Sequence, residues 1–402
     1  MLSFQKMKGW KEISFIIGLC GVPRSNSISN YSSMSLSKAK IPVVAIHSYC
    51  CDKKISTTID MPMIGLGTYK FKKGSGDTSK AVEKALKMGY TLIDTAFIYG
   101  GEQTEKEIGT TLSSKFFTSS SSSSWKRSDI FITSKQWRAY HGYEATIQCC
   151  HKSLQRLQTD YLDLYLIHWP GCAYNTMNRK RKVMEESPEG PFVYAKEGHG
   201  SNELQSLRAE TWRAMEDLLY EGKCRAIGVS NFTVQHLQKL KQTARYWPPA
   251  VNQIELHPYN PQTQLVDYCK KEGIVIQAYA SLGGQDSGKK TWNVLGGKLL
   301  ERHEVITIAN KYGKTPAQVL LRWATQQGFC VIPKSSNTLH LQQNLEAVTI
   351  HNDNDHNHDD TLQNDFHLSP EDFQVLSTLD QSSSPTSRLC WIRDPLKMLD
   401  FD

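Results

Sequence analysis

Eight short apolar runs, each separated from the next by a longer segment, constrain this chain more than any other feature. They are Ile64–Tyr69, Thr91–Asp94, Ile130–Thr133, Leu162–Ile167, Cys224–Val229, Ala250–Ile254, Ile274–Ala278 and Phe329–Ile332. Each is bounded by turn-forming or polar residues, as expected of strands buried on both faces. The segments between them repeat apolar residues every three or four positions. Ala81, Val82, Ala85 and Leu86 precede Gly89, and Trp212, Met215, Leu218 and Leu219 precede Gly222. In both, glycine stands where a helix C-terminus favours it. Strands alternating with helices in this way predict an α/β fold, a (β/α)8 TIM barrel with a C-terminal tail and low-complexity insertions. The alternative is an open doubly wound sheet, but no G-x-G-x-x-G opens a helix after the first strand.

The parts outside that alternation differ in composition. Residues 1–40 hold six Lys/Arg, one Glu and nine Ser, with an apolar run from Ile13 to Val22 behind Lys6, Lys8 and Lys11. Such a stretch reads as a disordered extension, an organellar transit peptide or a secretory segment, and Met34 is an alternative start. Residues 1–52 are set apart as a basic, Ser-rich N-terminal extension, and 53–402 as the barrel domain. Insertions near 118–127 (the serine run Ser119–Ser124) and 351–365 (rich in Asp, Asn and His) interrupt it. Both lack the apolar residues that offset the entropy of ordering and read as solvated loops. The three histidines between His351 and His358 have no fixed geometry there, so no metal site is expected.

The whole chain carries 47 − 40 = +7, of which the first 40 residues contribute +5. The remaining +2 gives no electrostatic ground for a nucleic-acid partner. No run of 18 apolar residues occurs, so no membrane-spanning helix is expected. Ten cysteines without a C-x-x-C fit free thiols in a reducing compartment. The expected location is the cytoplasm, with an organelle as the alternative if residues 1–40 target the chain.

In a barrel of this kind the chemistry lies at the C-terminal strand ends. Those ends carry Asp94 with Tyr99 five residues on, then Lys135, His168-Trp169-Pro170, Ser230-Asn231, Gln253, Tyr279 and Lys334-Ser335. Taken singly, Asp94 with Lys135 is an ordinary ion pair, Tyr99 a packing tyrosine and His168 as often a satisfied buried histidine as a catalytic one. Taken together they make a specific arrangement. A lysine ammonium held by a carboxylate beside a phenol favours the phenolate, making Tyr99 a proton donor and acceptor near neutral pH. A neighbouring imidazole can then orient a carbonyl oxygen. No nucleophile–base pair or metal-ligand cluster is visible, so the chemistry suggested is proton transfer coupled to transfer from a bound cofactor.

Seven segments carry a family resemblance: Met63–Lys70, Leu92–Ala96, Ile132–Lys135, Leu166–Pro170, Ile227–Phe232, Asn252–Pro258 and Val331–Ser335. In order and content they resemble the motifs of the aldo-keto reductase family, aldose and aldehyde reductases among them, from about residue 61 to 349. The resemblance implies NAD(P)H-dependent reduction of aldehydes or ketones to alcohols. The family's catalytic tetrad falls on Asp94, Tyr99, Lys135 and His168. Tyr279 would stack on the nicotinamide, with Ser230, Asn231 and Gln253 holding its carboxamide. Thr68 and Asp94 would approach the ribose, Leu282 and the loop beyond it the pyrophosphate. Lys334 and Ser335 would meet the 2′-phosphate of NADPH, with Asn344 near the adenine. Tyr69, Trp137 and Trp169, with His168, would wall the substrate pocket. The family is mostly monomeric, and a monomer with a small carbonyl substrate is expected.

Two departures stand out. His340 occupies the position where many members have an arginine, which exchanges a permanent charge and a bidentate fork for an imidazole. NADPH is expected as cofactor, with NADH as a second. Ala280 stands where a serine is usual. A function of another class, a non-catalytic NADPH-binding regulatory or structural protein, would have no need of the tetrad.

Overall fold

In the computed structural model the described residues are 41–50, 55–116, 125–171, 201–284, 295–349 and 366–382. The segments 119–124 and 351–365, and the first 40 residues, lie outside them.

Residues Val43–Cys50 (β1) and Ile55–Pro62 (β2) pair antiparallel, from Val43 opposite Pro62 to Cys50 opposite Ile55. Eight parallel strands follow: β3 (Leu66–Gly67), β4 (Leu92–Asp94), β5 (Phe131–Gln136), β6 (Leu162–Ile167), β7 (Cys224–Ser230), β8 (Val251–Glu255), β9 (Val275–Tyr279) and β10 (Cys330–Val331). They lie side by side in sequence order. A parallel bridge between Ile64 and Val331 joins the two ends of the sheet. There the Gly65 N–H donates to Val331 O at 2.9 Å and the Val331 N–H to Met63 O at 2.8 Å. Glycine is required at this seam: a Cβ on Gly67 would stand 2.4 Å from the Ile332 carbonyl oxygen. All eight expected strands are present, and the barrel expectation holds.

The helices among the described residues are α1 (Asp77–Lys87), α2 (Gln103–Thr111), α3 (Tyr143–Leu157), α4 (Ser201–Tyr220), α5 (Val234–Lys241), α6 (Thr263–Glu272), α7 (His303–Lys311), α8 (Pro316–Thr325), α9 (Thr338–Glu346) and α10 (Pro370–Ser377). Local chemistry marks their starts. Thr315 accepts from the Gln318 N–H with Pro316 at the first helical position, and Ser369 with Asp372 and Pro370 repeats the device. All six residues of β6 are buried, Asp163 among them. Its carboxylate is matched by Arg127 and Arg225 at 2.8 and 2.7 Å and by the Ile132 N–H at 2.9 Å.

β1 begins at Val43, ten residues before the expected domain boundary at 52/53. Ile46, Ile59 and Met61 of the hairpin pack against Leu92, Phe131, Leu164, Ala226, Val251 and Cys330, which sit at or near the starts of the barrel strands. Burial of that apolar face is what holds the segment. The hairpin covers the N-terminal end of the barrel and leaves the chemistry to the other.

Candidate active site

β4 ends on Asp94, and β5 carries Lys135 into the barrel, where it is fully buried. An ammonium has three hydrogens to place. Lys135 Nζ donates to Asp94 Oδ1 at 2.7 Å and Oδ2 at 2.9 Å, and to the Thr95 carbonyl at 2.7 Å. The remaining direction leads to the Tyr99 oxygen at 3.4 Å. Tyr99 thus accepts from the cation. Burial pushes the Asp94 carboxyl up and the Lys135 ammonium down, while their mutual attraction opposes both shifts.

His168 follows β6, its ring 5.8 Å from that of Tyr99 and 5.6 Å from that of Trp137, both edge-on. Burial, and then the Lys135 and Arg138 cations, hold it well below the ordinary histidine range. It is therefore a neutral imidazole, able to orient an oxygen by hydrogen bonding rather than to supply the proton. Its Nδ1 is buried and without a hydrogen-bond partner among the described residues. The four residues expected at the catalytic centre are thus brought together.

The expected aromatic wall divides. Tyr69 is 56% exposed with its ring 4.9 Å from Tyr99, and Trp137 is half-buried. Trp169 is 2% exposed, its ring nearly parallel to the His168 imidazole. Its carbonyl meets His141 Nε2 at 3.0 Å, and His141 Nδ1 lies 3.0 Å from Thr211 Oγ1. A carbonyl can only accept, so it is Nε2 of His141 that carries the hydrogen. Trp169 here supports His168 more than it borders open space.

The expected carboxamide-binding groups form one network. Tyr279 donates to Asn231 Oδ1 at 2.7 Å, and Asn231 Nδ2 donates to the His168 carbonyl at 2.9 Å and to Ser230 Oγ at 3.0 Å. Ser230 donates to the Gln253 carbonyl, and Gln253 Nε2 to Asp94 Oδ2 at 2.7 Å and Gln277 Oε1 at 2.6 Å. With both Nε2 hydrogens placed, Gln253 Oε1 is the group left to accept from an amide. Thr68 is fully buried and its hydroxyl donates to the Asp94 carbonyl at 2.8 Å, so it braces β4. Leu282 is half-buried at the edge of the undescribed 285–294.

The far end of the expected cofactor track lies at α9. Lys334 is exposed, its Nζ 4.8 Å over the Phe71 ring, and buried Ser335 accepts the Asn337 N–H. Asn337 caps α9 by accepting the His340 N–H. His340 is exposed and Asn344, one turn on, is buried. An exposed ammonium, a hydroxyl and a helix N-terminus make a donor set that suits a phosphate, while amides and a tyrosine ring at β7–β9 suit a nicotinamide. The residues present therefore fit NADPH.

Sequence reading missed Thr95, Gln277, Glu105 and His141. Only Gln277 carried a signal, a lone amide inside the apolar strand Val275–Tyr279.

Comparison with known proteins identifies the family. A model of the Aldo/keto reductase family matches residues 63–359. The chain is 36% identical over 328 residues to glyoxal reductase of Bacillus subtilis, covering 82% of this chain and 92% of the relative. It is 39% identical to a probable NAD(P)H-dependent D-xylose reductase of Aspergillus terreus, over 73% of this chain and 88% of that one. The structure of the aldose reductase from Schistosoma japonicum matches with a TM-score of 0.62 and 32% identity, covering 85% of this chain and 93% of that one. On motifs, fold and relatives together, the chain belongs to the aldo/keto reductase family.

Proposed function

We propose that this protein is an NAD(P)H-dependent oxidoreductase that reduces aldehydes or ketones to alcohols, with Tyr99 as proton donor. The observation that carries the reading is the fully buried Lys135, which places two of its hydrogens on Asp94 and Thr95 and directs the third at the Tyr99 oxygen. Bound NAD(P)H supplies the hydride. Tyr99 gives its proton to the substrate oxygen, and the resulting phenolate is stabilised by the Lys135 ammonium. Asp94 keeps that ammonium in place, and neutral His168 orients the carbonyl oxygen toward Tyr99. Tyr279, Asn231, Ser230 and Gln253 form the seat for the nicotinamide, and Lys334, Ser335, His340 and Asn344 that for the adenosine phosphate.

Relatives named as D-xylose, glyoxal and aldose reductases support the reductase reading rather than a non-catalytic one. Tyr69 and Trp137 beside the tetrad favour aromatic or aliphatic aldehydes over open-chain sugars. Lys334 favours NADPH. A monomer is the state proposed, as the family resemblance implies. Buried free thiols at Cys149, Cys150, Cys224, Cys269 and Cys330 fit the cytoplasm. The near-neutral barrel fits a small-molecule substrate rather than nucleic acid.

The test is loss of reduced-nicotinamide absorbance with a panel of aldehydes, for the wild type and Tyr99→Phe. The variant is expected to lose about 100- to 10,000-fold in kcat and to bind NADPH as the wild type does, read by fluorescence quenching. Equal loss of binding and turnover would remove Tyr99 from the role assigned to it.

A further inference from the structure

The segment that presents Tyr99 has an unusual backbone. Gly100, Gly101 and Glu102 follow it in three consecutive left-handed conformations, with φ of 58°, 57° and 80°. Glycine adopts that region without cost, but a residue with a Cβ does not. At Glu102 something must hold the backbone where it is. Its carboxylate lies 2.9 Å from Arg156 NH2. Arg156 comes from the last turn of α3 and is 8% exposed, whereas the Glu102 side chain is half-exposed.

The same guanidinium holds the other end of the segment. It lies 4.1 Å over the Phe97 ring, and its NH1 donates to the Phe97 carbonyl at 3.5 Å and to Glu105 Oε2 at 3.4 Å. Glu105, fully buried, accepts from Ser134 Oγ at 2.7 Å, and Ser134 is the neighbour of Lys135 on β5. One arginine therefore joins Phe97, Glu102 and Glu105, which bracket Tyr99, to the strand that carries the lysine.

We propose that Arg156 and Glu102 are positioning residues: their ion pair holds the left-handed turn behind Tyr99 and so sets the approach of its hydroxyl to the Lys135 ammonium. Neither touches substrate or cofactor; they act through Tyr99. The inference rests on Tyr99 being the proton donor.

Glu102 is the residue to change, because its half-exposed carboxylate can be removed without stranding a buried charge, whereas loss of Arg156 would leave Glu105 unmatched. Glu102→Ala removes the ion pair and keeps the Cβ. Glu102→Gly removes the ion pair but adopts the left-handed turn freely. The expected result is a fall of about tenfold in kcat for the alanine variant, with NADPH binding and melting temperature close to wild type. The glycine variant should recover most of that loss. Hydrogen exchange across residues 97–105, which needs no turnover, should quicken in the alanine variant and less in the glycine one. Wild-type kcat in Glu102→Ala, an equal fall in both variants, or unchanged exchange would each overturn the proposal. A wild type inactive on every aldehyde would instead overturn the reductase reading, and the exchange comparison would still judge the turn.

Discussion

At the scale of single residues, the site separates groups that a strand end announces from groups that only the folded chain brings together. Asp94, Lys135 and His168 stand at or just past the ends of apolar runs, so the barrel alone predicts that they converge. Arg156 and Glu105 have no such address. On α3 and α2 they read as ordinary helix charges, and nothing local says that both are buried behind Tyr99. Gln136 shows the opposite case, a polar strand-end residue that the described residues leave without a partner. It is fully buried beside Lys135, and neither its Nε2 nor its Oε1 has a hydrogen-bond partner among the described residues. An orphaned buried amide costs about 1–3 kcal/mol. Gln136→Leu, similar in volume, is expected to raise the urea midpoint by an amount worth about 1 kcal/mol while kcat stays within twofold. A lower midpoint would mean that the amide has a partner. His340 gives a second prediction of this scale. His340→Arg restores a fixed charge one helical turn from Asn344, and should raise NADPH preference over NADH by about 1–3 kcal/mol, read as the ratio of the two kcat/KM values. An unchanged ratio would place the phosphate away from α9.

At the scale of elements, the eight barrel strands were legible because each is a short apolar run buried on both faces, and their ends shifted by only a few residues. The hairpin was not. Residues 43–48 and 57–60 bury one face only, and Ser48, Thr57 and Thr58 dilute the apolar pattern directly behind a basic, serine-rich leader. Such a pair takes its stability from the surface it covers, which no local window contains. Ile46 tests this. It is fully buried against the strand starts, so Ile46→Ala should cost about 2–5 kcal/mol in urea unfolding. Because the tetrad sits at the opposite end of the barrel, kcat at 25 °C should not change. A loss of kcat with no loss of stability would mean that the hairpin serves the site rather than the core.

At the scale of the whole molecule, the site's demand for neutral imidazoles makes stability depend on pH. His141 is fully buried, and burial, first among the causes, pushes it down to about 3 from an ordinary 6.5. His168 is likewise held well below its ordinary value. Above pH 6.5 both the folded and unfolded chains keep these rings neutral, and they contribute no pH dependence. Below it the unfolded chain takes up protons that the folded chain refuses, so acid favours unfolding until the folded pKa is reached. Asp94 and Glu105 are shifted upward by burial and act with the opposite sign, so the total slope mixes contributions. A comparison that removes one ring isolates its share. His141→Gln should be less stable than wild type at pH 7, because it loses the ring's bonds to the Trp169 carbonyl and the Thr211 hydroxyl. That deficit should shrink by about 2 kcal/mol between pH 7 and pH 5, measured as the difference in urea unfolding free energy at each pH. A constant deficit would mean that His141 takes up its proton in the folded chain, and that the support of the Trp169 backbone beside His168 does not depend on a neutral ring.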